Sequence, residues 1–229
     1  MKYDWLLFDA DGTLFDYDLA EDKALRGTFE ALGLGYEPQY GEAYRRINRQ
    51  VWLDFEQGRI TAEKLRVQRF ALLFEALGIA ADAPEFSALY LAHLSRAGDL
   101  LPGVEEVLGR LRWRFKMAII TNGLKEVQRP RLESSSIAGL FAAVAVSDEL
   151  GVAKPDPRFF DAVFACIGSP PRERVLVIGD SLTSDIQGGN AYGLDTCWFN
   201  PQGKPADPRI PARYEIRALP QLLELLDDL

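Results

Sequence analysis

Apolar residues in this chain follow two patterns, which predict different elements. Unbroken apolar runs at Trp5–Phe8, Met117–Ile120 and Val175–Ile178 predict buried strands, because a strand covered on both faces shows no polar alternation. The shorter runs Ala143–Val146 and Thr196–Phe199 predict two further strands. Strands of this kind are typical of a parallel sheet inside an α/β protein.

The rest of the apolar residues recur at spacings of three and four, which predicts amphipathic helices. Residues 16–98 show only this helical pattern, whereas strands and helices alternate from residue 101 onward. We therefore predict an α/β fold with a doubly wound parallel sheet built from residues 1–15 and 99–229. Residues 16–98 are predicted to form an inserted, all-helical domain.

Proline and glycine predict several local features. We expect Pro130 to interrupt or restart the helix after the second strong strand, because proline lacks an amide proton and clashes one turn back. The neighbouring glycines Gly188 and Gly189 predict close backbone packing in a later helix. Residues 200–211 are rich in proline and glycine, so they are predicted to be coil.

Composition narrows the class of protein. The chain has 229 residues, of which 48% are hydrophobic and 26% are charged, as in ordinary globular proteins. Its net charge of −8 argues against a nucleic-acid polymer as partner. Cys166 and Cys197 have apolar neighbours, so both are expected to be buried hydrophobes without a disulfide or zinc site. No segment resembles a signal peptide or membrane helix, so we expect a cytoplasmic protein without a membrane partner.

Polar residues follow the predicted strands at their carboxyl ends, where parallel sheets bind their ligands. Asp9 and Asp11 follow the first strand, and Gly12 allows the loop to turn back toward the sheet. Each such motif alone is more commonly a turn or a helix cap. Together, in this order, they predict a phosphoryl-transfer site. The remaining candidates at this edge are Thr121, Asn122, Gly123, Lys154, Asp180 and Asp185.

The chemistry of phosphate ester hydrolysis assigns a role to each of these residues. Asp9 is the candidate nucleophile, which would form an aspartyl-phosphate, and Asp11 is the candidate general acid and base. Mg²⁺ prefers hard oxygen ligands, so we expect it to bind Asp9 and Asp180, with Asp185 near or behind them and a backbone carbonyl from Asp11. The phosphate itself is expected to contact Lys154 and the segment formed by Thr121, Asn122 and Gly123.

At these residues the chain resembles the haloacid dehalogenase-like hydrolase superfamily over nearly its full length. Asp9-Ala10-Asp11-Gly12-Thr13 is similar to the first motif of that family, and Thr121-Asn122-Gly123 to the second. Lys154-Pro155 is similar to the third, and the segment from Gly179 to Asp185 to the fourth. The resemblance implies a Rossmann-like core, aspartyl-phosphate chemistry with Mg²⁺, and a helical cap of the C1 type that closes over the substrate. Dehalogenases lack the second aspartate of the first motif, so Asp11 favours a phosphatase.

A narrower resemblance links the chain to bacterial pyrimidine 5′-nucleotidases. The residues that carry it are the helical stretch Gln50–Thr61, the strand end Thr196–Asn200 and the opening pair Asp4-Trp5. It implies a small phosphorylated metabolite as substrate, specifically a nucleoside 5′-monophosphate. Trp52 would then stack on the base, although its helical spacing fits a core residue equally well. We expect a monomer or a weak dimer.

Other functions fit part of the same pattern. A phosphatase for sugar phosphates, a 2-haloacid dehalogenase and a phosphomutase would all use this family's core. A receiver-like phospho-accepting switch also gathers aspartates, a threonine and a lysine around Mg²⁺. The long helical insertion at residues 16–98 argues against the switch.

Overall fold

A computed structural model describes residues 1–229 of the chain, which divides into two compact units. The first unit contains residues 1–17, 99–125 and 132–229. The second contains residues 18–98 and 126–131. The helical unit therefore takes in a short segment, residues 126–131, that lies outside the predicted insertion.

The first unit is built on a six-stranded sheet in which every neighbouring pair is parallel, in the order β3-β2-β1-β4-β5-β6. This confirms the predicted doubly wound parallel sheet. The strand order reverses between β1 and β4, and ligands of such sheets bind in the crevice beyond the carboxyl ends at that point. The strands are β1 (Trp5–Phe8), β2 (Lys116–Thr121), β3 (Ala143–Val146), β4 (Val175–Gly179), β5 (Asp195–Phe199) and β6 (Tyr214–Ile216).

Helices cover both faces of this sheet. The side chains of alternate β1 residues lie in two different hydrophobic cores. Leu6 and Phe8 pack with the helices at residues 104–111 and 221–227, whereas Trp5 and Leu7 pack with the helix at residues 157–167. None of the helices is both long and apolar enough to cross a membrane. The helices are α1 (Tyr17–Ala31), α2 (Pro38–Glu56), α3 (Ala62–Leu77), α4 (Ala83–Leu94), α5 (Val104–Leu111), α6 (Lys125–Glu133), α7 (Ser147–Leu150), α8 (Pro157–Ile167), α9 (Gln187–Ala191) and α10 (Gln221–Asp227), and one π-helical turn (Leu182–Ile186) precedes α9.

The second unit is organised around aromatic side chains of α1 to α4. Tyr44 stacks on Phe70 with ring centroids 5.5 Å apart, and Phe86 contacts both Phe70 and Phe29 at 5.0 Å. Aromatic pairs at these distances add to the stabilisation that burial provides. The helices are also capped locally, since the Asp82 carboxylate accepts the Glu85 amide at the start of α4.

The structure corrects two expectations from the sequence and adds one strand that was not predicted. Helix α6 continues through Pro130, so the expected interruption is wrong; the proline removes only one backbone donor from this short helix. Cys166 is exposed, because it lies on the face of α8 opposite the buried residues, while Cys197 is buried as expected. Strand β6 (Tyr214–Ile216), which is only three residues long, was not predicted.

Close packing at the glycine pair is confirmed. A Cβ atom on Gly188 would lie 2.9 Å from the Phe160 ring and 3.0 Å from the Pro155 backbone. A Cβ atom on Gly189 would lie 2.7 Å from the Thr196 methyl group on β5. These contacts are closer than van der Waals packing allows, so glycine at 188 lets α9 lie against Phe160 and Pro155, and glycine at 189 lets it lie against β5.

Candidate active site

Asp9 is the first residue after β1, and its amide donates to the Ile178 carbonyl of β4 at 2.9 Å. The loop that follows turns tightly, because the amides of Leu14 and Phe15 both donate to the Ala10 carbonyl at 2.9 Å. Gly12 has a φ of +82°, and a Cβ atom there would lie 3.0 Å from the carboxyl carbon of Asp180. Glycine therefore lets the loop pass directly against Asp180.

Three carboxylates meet beyond the ends of β1 and β4. Oxygen atoms of Asp9, Asp180 and Asp185 all lie within 4.8 Å of one another. Carboxylate oxygens in such a group are the hard donors that Mg²⁺ prefers, so the residues present fit this ion. The carboxylate of Asp11 is not part of the group, which is compatible with the predicted contribution of its backbone carbonyl alone.

Lys154 lies between two of these carboxylates. Its Nζ donates to Asp9 Oδ1 at 2.7 Å, to Asp185 Oδ1 at 2.6 Å and to the Ile120 carbonyl of β2 at 2.6 Å. These bonds use all three donors of an ammonium group whose residue is only 1% exposed. Burial alone lowers the pKa of a lysine, but the charges of Asp185 and Asp9 outweigh it and raise the pKa of Lys154.

One lysine does not neutralise the cluster. Burial raises the pKa of Asp9 well above its usual value; Lys154 opposes the shift, and the charges of Asp185 and Asp180 add to it. Burial and the charge of Asp185 raise the pKa of Asp180 to about 7, against the opposing effects of Lys204 and Lys154. Three carboxylates thus face a single buried lysine, and a divalent cation would relieve their mutual repulsion.

The segment after β2 lies beside Lys154. The Oγ1 atom of Thr121 accepts the Gly123 amide at 3.2 Å, which leaves the hydroxyl proton of Thr121 available to donate. The side chain of Asn122 donates to the Lys154 carbonyl and accepts from the Lys154 amide, both at 2.8 Å. Asn122 therefore positions the backbone of Lys154, a role that the sequence did not indicate.

Further contacts orient the aspartates, and sequence reasoning did not assign them. The Thr13 hydroxyl donates to Asp9 Oδ2 at 3.4 Å, and the Ser181 amide donates to Asp185 Oδ2 at 3.1 Å. A Cβ atom on Gly179 would lie 2.2 Å from that same oxygen of Asp185. The sequence indicated Thr13 and Gly179 only indirectly, because both lie within the segments that resemble the family motifs.

Trp52 lies on α2 of the helical unit and is half-buried. Its ring contacts Phe55 edge to face, with centroids 5.7 Å apart and planes at 84°. Tyr44 on the same helix is fully buried in the aromatic core. Trp52 is thus more exposed than a core residue of this unit, and its role in substrate binding stays a prediction.

Comparisons with known proteins agree with this arrangement. The chain is 37% identical to the HAD-hydrolase YfnB of Bacillus subtilis, and the match covers 99% of this chain and 96% of that protein. It is 36% identical to the pyrimidine 5′-nucleotidase PynA of Streptococcus pneumoniae, over 99% of this chain and 96% of that one. It is 33% identical to the pyrimidine 5′-nucleotidase YjjG of Escherichia coli, over 99% of both chains.

A crystal structure of YfnB bound to magnesium superposes with a TM-score of 0.94 at 37% identity, over 99% of this chain and 100% of that one. The family model of haloacid dehalogenase-like hydrolases matches residues 3–193, which include every candidate residue of the core site. These findings, together with the aspartate and lysine cluster at the strand ends, establish that the chain belongs to the haloacid dehalogenase-like hydrolase family.

Proposed function

We propose that this protein is a Mg²⁺-dependent phosphatase for small phosphomonoesters, and that nucleoside 5′-monophosphates of the pyrimidine type are its main substrates. The observation that carries the proposal is the cluster of Asp9, Lys154, Asp180 and Asp185 at the point where the strand order reverses. The names of PynA and YjjG, which are similar to this chain over their full length, support the choice of substrate.

Asp9 is proposed as the nucleophile of the first step. Its carboxylate oxygen forms a bond to phosphorus as the ester bond to the leaving alkoxide breaks. Thr13 and Lys154 hold this carboxylate in place through its two oxygens. When bound beside Asp9, Asp180 and Asp185, Mg²⁺ would neutralise negative charge on the phosphate and on the aspartates.

Asp11 is proposed to move the proton in both steps. It donates a proton to the leaving alkoxide, and it then accepts a proton from the water that attacks the phosphorus of the aspartyl-phosphate. This second step releases inorganic phosphate and restores the Asp9 carboxylate. Asp11 suits the role because it lies just past Asp9 in the tight loop, and its carboxylate is separate from the three that would hold the metal.

The phosphate group would be bound at Thr121 and the segment that follows it, with Lys154 beside it as a source of positive charge. The hydroxyl of Thr121 is free to donate a proton, because its oxygen already accepts the Gly123 amide. Lys154 is locked between Asp9 and Asp185, so we propose that it lowers the repulsion between phosphate and the nucleophile. Asn122 fixes the position of that lysine.

The helical part of the chain, residues 16–98, is proposed as the cap domain that selects among phosphate esters. Trp52 is the candidate base-stacking residue because its ring is only half-buried. Replacement Trp52→Ala should raise KM for a pyrimidine monophosphate about fivefold or more, since base stacking contributes about 1–3 kcal/mol. The KM for p-nitrophenyl phosphate, which lacks a base, should stay within about twofold. An equal rise for both substrates would contradict a role in base recognition.

The phosphatase proposal is tested by following release of inorganic phosphate from cytidine and uridine 5′-monophosphate with Mg²⁺. Asp9→Asn should reduce turnover at least ~10³-fold, because an amide is not a nucleophile, while the circular dichroism spectrum is unchanged. Chelation of the metal should also stop the reaction. Wild-type turnover by Asp9→Asn would exclude Asp9 as the nucleophile. Release of halide from a 2-haloacid, without phosphatase activity, would favour the dehalogenase alternative.

A further inference from the structure

A surface pocket of about 440 Å³ lies in the α/β unit at the edge of the sheet opposite the acidic cluster. Trp5 and Lys116, which begin β1 and β2 and face each other in the sheet, both line it. Asp9 and Thr121 are at the other ends of the same strands. The pocket is therefore separate from the candidate active site, and its volume lies within the range of small-molecule sites.

Aromatic rings and cations alternate along one wall of this pocket. Trp113 is 81% exposed, more than any other large apolar side chain of the protein. The guanidinium of Arg112 lies 4.9 Å from the centroid of the Trp113 ring, and Nζ of Lys116 lies 5.6 Å from that of Trp5. An exposed indole next to fixed positive charge provides the two features that bind a flat ring carrying an anion.

The charges around the pocket do not cancel. Arg114 pairs with Asp227, and Asp4 pairs with Arg174, so these groups are already neutralised. Arg112 and Lys116 also line the pocket, where Lys116 adds to the effect of Arg174 in lowering the pKa of Asp4. Around the pocket the cations Arg112, Arg114, Lys116 and Arg174 therefore outnumber the carboxylates Asp4 and Asp227. They create a local positive potential that attracts small anions.

We propose that this pocket is a second ligand site that binds a nucleotide, with its base on the exposed ring of Trp113 and its phosphate on Arg112 and Lys116. Both contacts are needed: a nucleoside has the ring without the charge, and inorganic phosphate has the charge without the ring. A nucleotide should therefore bind more tightly than either fragment. Nucleotide binding at this pocket requires no catalysis, so it can be tested independently of the proposed phosphatase activity.

The test is calorimetric titration of cytidine 5′-monophosphate into the full-length protein with a chelator present. Without Mg²⁺, the carboxylates of Asp9, Asp180 and Asp185 repel phosphate, so the active site contributes little heat. We expect saturable binding to the wild type that weakens at least tenfold in Trp113→Ala and in the double variant Arg112→Ala/Lys116→Ala. Arg110→Ala is the matched control, because Arg110 lies on α5 and is exposed but does not line the pocket.

Cytidine and inorganic phosphate, titrated separately, should each bind at least tenfold more weakly than the nucleotide. All three variants should hydrolyse p-nitrophenyl phosphate at the wild-type rate. This control separates loss of nucleotide binding at the pocket from loss of the active site. Equal nucleotide affinity in the wild type and Trp113→Ala would overturn the proposal. It would also be overturned if Arg110→Ala lost as much affinity as the double variant. A concentration-dependent dimer that Trp113→Ala abolishes, without nucleotide binding, would assign the exposed ring to a protein interface instead.

Discussion

The α/β unit buries Lys154 among three aspartates, whereas the helical unit buries a chain of Glu21, Asn48 and Arg69. In the helical unit, the amide of Asn48 donates to Glu21 Oε2 and its oxygen accepts from Arg69 Nη1, both at 3.1 Å. One negative and one positive charge thus join through a neutral amide. The formal charges of these three residues therefore cancel.

The cluster of the α/β unit is not balanced. Lys154 contributes one positive charge against Asp9, Asp180 and Asp185, and the pKa values of Asp9 and Asp180 are raised in consequence of burial and mutual repulsion. Burying like charges costs free energy unless a further cation joins them. We infer that the network whose charges cancel stabilises the helical unit, whereas the cluster with excess negative charge is a binding site.

The largest expected effect comes from removing the one cation of the unbalanced cluster. Lys154→Met leaves Asp9 and Asp185 buried without their shared partner, so the free energy of unfolding should fall by about 3–5 kcal/mol. Phosphate release should be lost as well. Urea unfolding followed by circular dichroism measures the first effect, and Lys125→Met, at an exposed site of the same unit, is the control. A stable and active Lys154→Met variant would refute the role of this lysine.

Removing the cation of the balanced network should have a smaller effect. Arg69→Met deprives Asn48 and Glu21 of the guanidinium charge, and we expect a loss of about 1.5–3 kcal/mol in the free energy of unfolding. The double variant Glu21→Gln/Arg69→Met should lose less than the sum of the two single variants, because the two changes act on one network. Additive losses in a denaturant series would show that Glu21 and Arg69 are not coupled.

The sequence predicted the parts of the fold that have strong periodicity. The runs Trp5–Phe8 and Val175–Ile178 are central strands, and they place Asp9 and Asp180 at one edge because parallel strands share their direction. Strand β6 escaped prediction because its three residues, of which only Ile216 is buried, are too few to show a pattern. At Pro130 the error was the opposite, because a break was predicted where the helix continues. One unfavourable residue does not end a helix that its surroundings stabilise.

The site was predictable as a set of residues but not as a set of contacts. Chemistry alone indicated Asp9, Lys154 and Asp185, whereas the position of Lys154 between the two carboxylates depends on how three loops converge. The two hydrogen bonds between the Asn122 side chain and the Lys154 backbone join positions 32 residues apart, and no local sequence pattern predicts them. The burial of Arg69 in the helical unit was equally hidden, because a helical pattern does not distinguish a paired buried arginine from an exposed one.

Calorimetric titration of Mg²⁺ into the metal-free protein tests whether the unbalanced aspartate cluster binds a divalent cation. We expect a single saturable site above a pH of about 7, where Asp180 is ionised. Affinity should weaken as the pH falls through that value, because a proton on Asp180 must then be displaced. Asp180→Asn should abolish binding, while Asp11→Asn, whose side chain lies outside the cluster, should retain it. Absence of binding to the wild type, or equal binding by Asp180→Asn, would exclude a divalent cation site at this cluster.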